Sequence, residues 1–189
     1  MKNVIFQMMT SVDGFFEGPD RELDWPVVDD GFSRYSLDLL NTIDAMLFGR
    51  LTYQMMAKYW QSPRAIADHP AIAHKMNTLA KIVFSATLEK PSWQNTRLVK
   101  NNGAGELMKM KEQPGQDLAI FGSSDLAVSL TKQGLIDEYR IIVNPIVLGG
   151  GKMLLKGLNG RLKLKLVASR TFASGSVLLC YRPDNGAAP

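Results

Sequence analysis

The apolar run Ala45-Met46-Leu47-Phe48 breaks at Gly49 and continues at once as Arg50-Leu51-Thr52-Tyr53. The run Leu118-Ala119-Ile120-Phe121 does the same at Gly122, ahead of Ser123-Ser124-Asp125. An apolar run that stops on glycine and passes straight into a helical pattern reads as a buried strand feeding a helix. A strand that returns to its sheet through a helix runs parallel to its predecessor. Two such units therefore commit much of the chain to a parallel sheet with helices packed on its faces.

The remaining pattern extends this reading. Val4 to Met9 is a buried first strand that ends at the turn residues Asp13-Gly14, and a polar loop continues through Gly18-Pro19-Asp20. Phe32, Tyr35, Ser36, Leu39, Leu40 and Ile43 recur at helical spacing and form one mostly apolar stripe, with Asp29 or Asp30 as its N-cap. Lys81 to Ser85 and Thr96 to Val99 read as strands, and Gly105 to Lys111 as a short helix before Pro114. The strand ending at Phe121 feeds a helix from about Ser124 to Gln133, stopped by Gly134. Then the character changes. Tyr139 to Val143, Leu162 to Val167 and Ser176 to Tyr181 are strands with little helix between them, and lysines alternating at 163 and 165 mark one wet face. The expectation is a single α/β domain over residues 1–183, mostly parallel with antiparallel strands at one edge, followed by a disordered tail over 184–189.

Composition narrows the setting. The 189 residues are 46% hydrophobic and 21% charged, which suits one globular core. The net charge of +4 is spread without a basic block, so an anionic small molecule is favoured over nucleic acid. The one cysteine, Cys180, lies in a late apolar run and reads as a small core residue. A lone cysteine forms no internal disulfide, and no apolar run reaches the ~20 residues that span a bilayer. A cytoplasmic location without membrane partners is expected.

Several chemistries fail on spacing. Gly149-Gly150-Gly151-Lys152 lacks both the leading glycine and the closing hydroxyl of a phosphate-binding P-loop. Leu154 stands where a dinucleotide fingerprint needs its last glycine. His69 and His74 are not at the spacing of a helical zinc pair, so no metal is expected. The two strand–glycine–helix turns survive. Each aims unpaired backbone N–H groups at one point, and Arg50 and Thr52 add a guanidinium and a hydroxyl. A cation at a helix start is disfavoured by the helix dipole, so an anion belongs there. Two such turns suit a ligand with two phosphate regions, such as a dinucleotide.

Five segments then occur in a telling order: Ser11-Val12-Asp13-Gly14, Phe48 to Tyr53, Val83-Phe84-Ser85, Ile120 to Ser124, and Pro145 to Lys152. Together they resemble the dihydrofolate-reductase-like superfamily, and within it the reductase domain of the riboflavin-biosynthesis deaminase–reductase and its stand-alone relatives. The resemblance covers residues 1 to about 182. It implies a three-layer fold around a twisted sheet, NADPH as cofactor, hydride transfer to a small heterocyclic or carbonyl-type substrate, and a homodimer. Carried over by residue, Gly49, Arg50 and Thr52 resemble the segment that holds the 2′-phosphate and pyrophosphate side. Ser85 resembles a hydroxyl on the adenosine side, although Ala86 replaces a second one. Gly122, Ser123 and Ser124 resemble the turn over the pyrophosphate, with serines where folate enzymes often carry glycines. The backbone of Met9 would face the nicotinamide carboxamide.

On the substrate side, Trp25-Pro26 with Asp30 resembles the folate enzymes, where a carboxylate at that helix supports protonation; Asp13 is the other candidate proton relay. Trp25, Phe16 and Gly150 are expected at the substrate pocket. Phe15 and Trp60 read as ordinary core, and Met8, Met9, Met55 and Met56 as gap fillers. Ile142 replaces a hydroxyl expected of a folate enzyme, and the triple-glycine loop follows the riboflavin-type branch. The zinc-deaminase signature is absent from the sequence, so the paired deamination is not expected of this chain. Dihydrofolate reduction and a non-catalytic nucleotide-binding dimer remain the alternatives.

Overall fold

A computed structural model describes residues 1–184. Asp184, expected to open a disordered tail, donates its backbone N–H to Lys163 O at 2.9 Å; the rest of that expected tail, 185–189, lies outside the described residues. In chain order the elements are β1 (Val4–Thr10), β2 (Phe15–Glu17), α1 (Asp30–Leu40), β3 (Ile43–Gly49), α2 (Arg50–Trp60), α3 (Pro63–Asp68), α4 (Pro70–Thr78) and β4 (Ala80–Phe84). There follow β5 (Thr96–Val99), α5 (Gly103–Glu112), β6 (Asp117–Phe121), α6 (Ser124–Thr131), β7 (Glu138–Val143), β8 (Lys152–Met153), β9 (Leu164–Thr171) and β10 (Val177–Pro183).

Eight strands form one sheet in the order β5-β4-β3-β6-β1-β7-β10-β9. The pairings from β5 to β7 are parallel, and β10 and β9 are antiparallel additions at one edge. The alternating strand periodicity sorts the core onto the two faces. Ile5, Met46, Phe48 and Val83 pack beneath Tyr35 and Leu39 of α1, Tyr53 and Ala57 of α2 and Met76 of α4. Val4, Phe6, Leu47 and Ile120 pack on the opposite side with Leu107 of α5 and Ala127 and Leu130 of α6. This is the expected α/β architecture, mostly parallel with antiparallel C-terminal strands and helices on both faces.

Four details differ from the sequence expectation. Ile43 does not end the first helix; α1 stops at Leu40 and Ile43 opens β3. The polar loop after β1 holds the short strand β2, which pairs with β8 in a separate two-stranded ribbon. Two helices, α3 and α4, occupy the stretch between α2 and β4. Each is short and buries few side chains, Ala65 in one and Ala73 and Met76 in the other, so neither carries a wide apolar stripe. Finally, β9 has no dry face: all eight of its residues are exposed. It is the last strand of the sheet, so its leucines face outward despite the lysine alternation. No helix among the described residues is long and apolar enough to cross a membrane.

Candidate functional site

The carboxyl ends of the parallel strands carry the site, as they do in open α/β sheets. Gly49 ends β3 and N-caps α2, while Ser123 N-caps α6 just after β6. The two turns are tied to each other. Gly49 donates its N–H to Ser123 Oγ at 3.0 Å, and Ser123 donates its N–H to Thr52 Oγ1 at 3.1 Å. Because Ser123 Oγ is engaged with Gly49, it does not cap its own helix, and Gly49 has no side chain to cap α2. Both helix starts thus present N–H groups without a side-chain cap, beside one another.

The local backbone explains the residue choice at the second turn. Gly122 and Ser123 both adopt the left-handed region, with φ of 61° and 50°. A Cβ on Gly122 would lie 3.1 Å from Thr52 Cγ2, so glycine is needed for both conformation and space. Gly49, by contrast, has φ −79° and would meet nothing closer than 3.9 Å. Its missing side chain leaves room over the α2 start. Arg50 bonds only the neutral amide of Gln54, at 3.2 Å, and pairs with no carboxylate among the described residues. A guanidinium without an acid at a helix start is the electrostatic setting an anion would complete. Ser85 follows Phe84, the register partner of Gly49, so it sits next to the first turn. Its Oγ accepts from the N–H groups of Thr87 and Leu88 at 3.2 and 3.0 Å. Ser124 is the buried first residue of α6.

A cavity of about 430 Å³ opens beside these turns, within the ~300–1,000 Å³ common for small-molecule sites. Met9 of β1 and Thr52, Gly122 and Ser123 of the turns all line it, so the phosphate-type turns and the cavity form one continuous surface. Its remaining wall comes from α1, α2, α4 and the segment after β2. Trp25 and Phe16 are on that wall, as expected. Gln7 is also there, its Oε1 accepting from the buried Tyr35 hydroxyl at 2.7 Å; burial pushes that phenol up to about 12.

The structure extends some readings and corrects others. Met8 is core, and Met9, Met56 and Trp60 pack against it, as expected, but all four also line the cavity, together with Met55. Leu51, Met55 and Tyr59 lie at i, i+4 and i+8 on α2 and are 61, 42 and 41% exposed, a partly exposed apolar row along the cavity. Gly150 is not on the cavity wall; it lies near Pro19 in the loop before β8.

Asp13 and Asp30 are also elsewhere. The Asp13 carboxylate accepts from the N–H groups of Leu148 and Gly149 at 3.1 and 2.8 Å, tying the β1 turn to the triple-glycine loop. A hydrogen bond from Ser11, with those from Gly149 and Leu148, holds its pKa below the ordinary carboxylate value. Asp29 is the N-cap of α1: its carboxylate accepts from Phe32 N–H and Ser174 N–H, both at 2.7 Å, which lowers its pKa. Asp30, one residue on, lines a separate groove with Arg34 and Arg170. The titratable side chains on the cavity wall among the described residues are instead Glu17, Tyr59 and His69. Neither Glu17 nor His69 sits in a recognisable motif, so spacing alone does not reveal them.

The family model of the RibD C-terminal domain matches residues 2–178. The uncharacterized protein YyaP of Bacillus subtilis (strain 168) is 32% identical over 182 residues, covering 95% of this chain and 94% of that protein. YwjB of the same organism, also uncharacterized, is 24% identical over 173 residues, covering 90% of this chain and 92% of that protein. Among solved structures, a protein from Shewanella sp. PV-4, described provisionally as a riboflavin biosynthesis protein, superposes with a TM-score of 0.75 at 24% identity, covering 97% of this chain and 99% of that one. The Thermotoga maritima diaminohydroxyphosphoribosylaminopyrimidine deaminase/5-amino-6-(5-phosphoribosylamino)uracil reductase gives 0.69 at 14% identity, over 96% of this chain and 56% of that one. At those identities the structural likeness establishes the fold.

Proposed function

The chain belongs to the RibD C-terminal domain family, and from that premise we propose that it is an NADPH-dependent reductase acting on a small heterocyclic or carbonyl compound. The family implies oxidoreductase activity in riboflavin-like chemistry. What supports the cofactor is one observation: two uncapped helix starts, tied through Gly49, Ser123 and Thr52, open onto a single apolar cavity.

The residues present fit NADPH. The N–H groups of the first turns of α2 and α6 would hold pyrophosphate oxygens, and Arg50 the 2′-phosphate. Ser85, next to the α2 turn, would stand on the adenosine side. Thr52 and Ser123 line both the turns and the cavity, so a ligand anchored at its phosphates reaches the apolar wall. When bound, the cofactor supplies a hydride. The chain's own contribution is orientation and exclusion of water, and Met9 and Gly122 line the wall that would face the bound ring. Glu17, Tyr59 or His69, not Asp13 or Asp30, is placed to hold a proton next to a substrate. A folate-type mechanism needs a carboxylate at the α1 start facing the cavity, and Asp30 faces another groove.

The proposed partner is a second copy of this chain. The support is β9, an edge strand exposed along its whole length, with Leu164, Leu166 and Val167 each more than a third exposed. The test of the function is calorimetric titration with NADPH and NADH, then NADPH oxidation over a panel of carbonyl and heteroaromatic compounds. NADPH binding tighter than NADH, with turnover of a panel member, is expected. Absence of NADPH binding refutes the reading, and binding without any turnover favours a non-catalytic nucleotide-binding protein.

A further inference from the structure

The cavity that adjoins the phosphate-type turns has a wall of unusual charge. Among the described residues, no lysine or arginine lines it, and its one carboxylate is Glu17. A phosphate brought onto this wall would lose water without gaining a counter-charge, which is unfavourable. Glu17 would add like-charge repulsion. One cation touches a wall residue: Lys152 Nζ lies 5.5 Å from the Phe16 ring centroid. It is engaged elsewhere, 3.3 Å from Asp125 Oδ2 at the start of α6.

The wall also carries two unmet donors. The indole N–H groups of Trp25 and Trp60 are buried and have no hydrogen-bond partner among the described residues. Trp25 is only 9% exposed, and both residues line the cavity. An indole N–H donates and cannot accept, so its complement is a carbonyl oxygen or an unprotonated ring nitrogen. A buried donor left unpaired is destabilising, and a ligand acceptor that reaches it recovers that loss. Around these donors stand flat or flexible apolar groups, Phe16, Phe32, Met55 and Tyr59. Such groups stack on and mould to a planar ring.

Resting on the reductase reading above, we propose that the substrate is an uncharged, planar, carbonyl-bearing ring compound that carries no phosphate. The wall therefore departs from what a phosphoribosyl substrate requires, such as the one named for the Thermotoga maritima structural neighbour. Selection follows from the two halves of the site. Phosphates are met at the helix starts, where the cofactor binds, and acceptor atoms on a neutral ring are met by the tryptophans.

The test uses riboflavin and FMN, which share one ring system and differ by one terminal phosphate, titrated calorimetrically into the full chain saturated with NADP⁺. Riboflavin is expected to bind about tenfold tighter than FMN or more. Trp25→Phe keeps an aromatic wall but removes one donor. It is expected to weaken riboflavin binding by about three- to tenfold, with NADP⁺ affinity unchanged. FMN binding as tightly as riboflavin, or no riboflavin binding while NADP⁺ still binds, overturns the substrate class and leaves the cofactor reading standing. A chain that binds no NADP⁺ overturns the cofactor reading and the substrate class with it.

Discussion

Replacing Arg50 with alanine separates the cofactor role proposed for this residue from any structural role. Arg50 is the first residue of α2 and bonds only Gln54, through a partly exposed contact at 3.2 Å. A cation in the first turn opposes the helix dipole at a cost of about 0.3–1 kcal/mol. The fold therefore has nothing to lose: the melting temperature of Arg50→Ala should be unchanged or slightly raised. A charge-assisted hydrogen bond to a phosphate contributes ~1.5–3 kcal/mol. At ~1.4 kcal/mol per decade, NADPH affinity should fall about 10- to 100-fold. NADH has no 2′-phosphate, so its affinity should be nearly constant. Calorimetric dissociation constants for both cofactors, with a thermal melt of each variant, give all three quantities. Added salt should narrow the wild-type preference for NADPH, because the contact is partly exposed and screened. Equal loss for the two cofactors would refute the role, and a lowered melting temperature would show that Arg50 supports the helix instead.

Three further outcomes follow from geometry. Gly122→Ala combines a left-handed φ of 61° with a Cβ 3.1 Å from Thr52 Cγ2; stability should fall by about 1–3 kcal/mol, with weaker NADPH binding, whereas Gly134→Ala, at φ 65° with open space around it, should lower stability alone in urea unfolding. Lys81 is fully buried, donates to Asn77 O and Leu79 O at 2.8 and 2.7 Å, and has its pKa lowered by burial from 10.5 to about 8. Between those values the unfolded chain holds the extra proton, so stability should rise with pH across that window, and urea titrations of Lys81→Met should lose the rise. The lowered pKa of Asp13 means its contribution is present above 3.8 and lost as pH falls below that through the folded value; Asp13→Asn should flatten this part of the acid unfolding curve while leaving NADPH affinity intact.

The parallel sheet was legible because its units are local. A strand of apolar residues, a glycine and a helix start are contiguous, as at Phe48-Gly49-Arg50 and Phe121-Gly122-Ser123. What escaped was decided at a distance. The stripe from Phe32 to Ile43 is continuous in helical spacing, yet Ile43 joins β3 because it pairs in register with Asp117 of β6. The alternation over Leu162 to Val167 implied one dry face, but dryness depends on a covering layer, and β9 lies beyond the last one. Asp13 and Asp30 read as acids near a pocket. Their roles are fixed by partners far along the chain: Leu148 and Gly149 hold Asp13, while Arg170 and Phe172 share the groove with Asp30.

The same contrast divides the candidate site. Its phosphate-type half is built from backbone N–H groups, whose direction is set by the turn that carries them, so a few adjacent residues announce it. Its other half is an assembled wall. A helix face lining a cavity has the same apolar period as one packed on a core. Met55, Met56 and Trp60 were therefore indistinguishable from core until α4 and the segment after β2 were placed around them. The two halves tolerate substitution unequally. A side chain on Gly122 disturbs Thr52 and both helix starts, whereas Leu51, Met55 and Tyr59 are exposed and can change without repacking the sheet. On the reading proposed above, a chain with this architecture would keep its cofactor while altering its substrate through α2 and the loop bearing Trp25. Substrate assignment within it should follow the wall residues, with a lysine or arginine there marking an anionic substrate and its absence a neutral one.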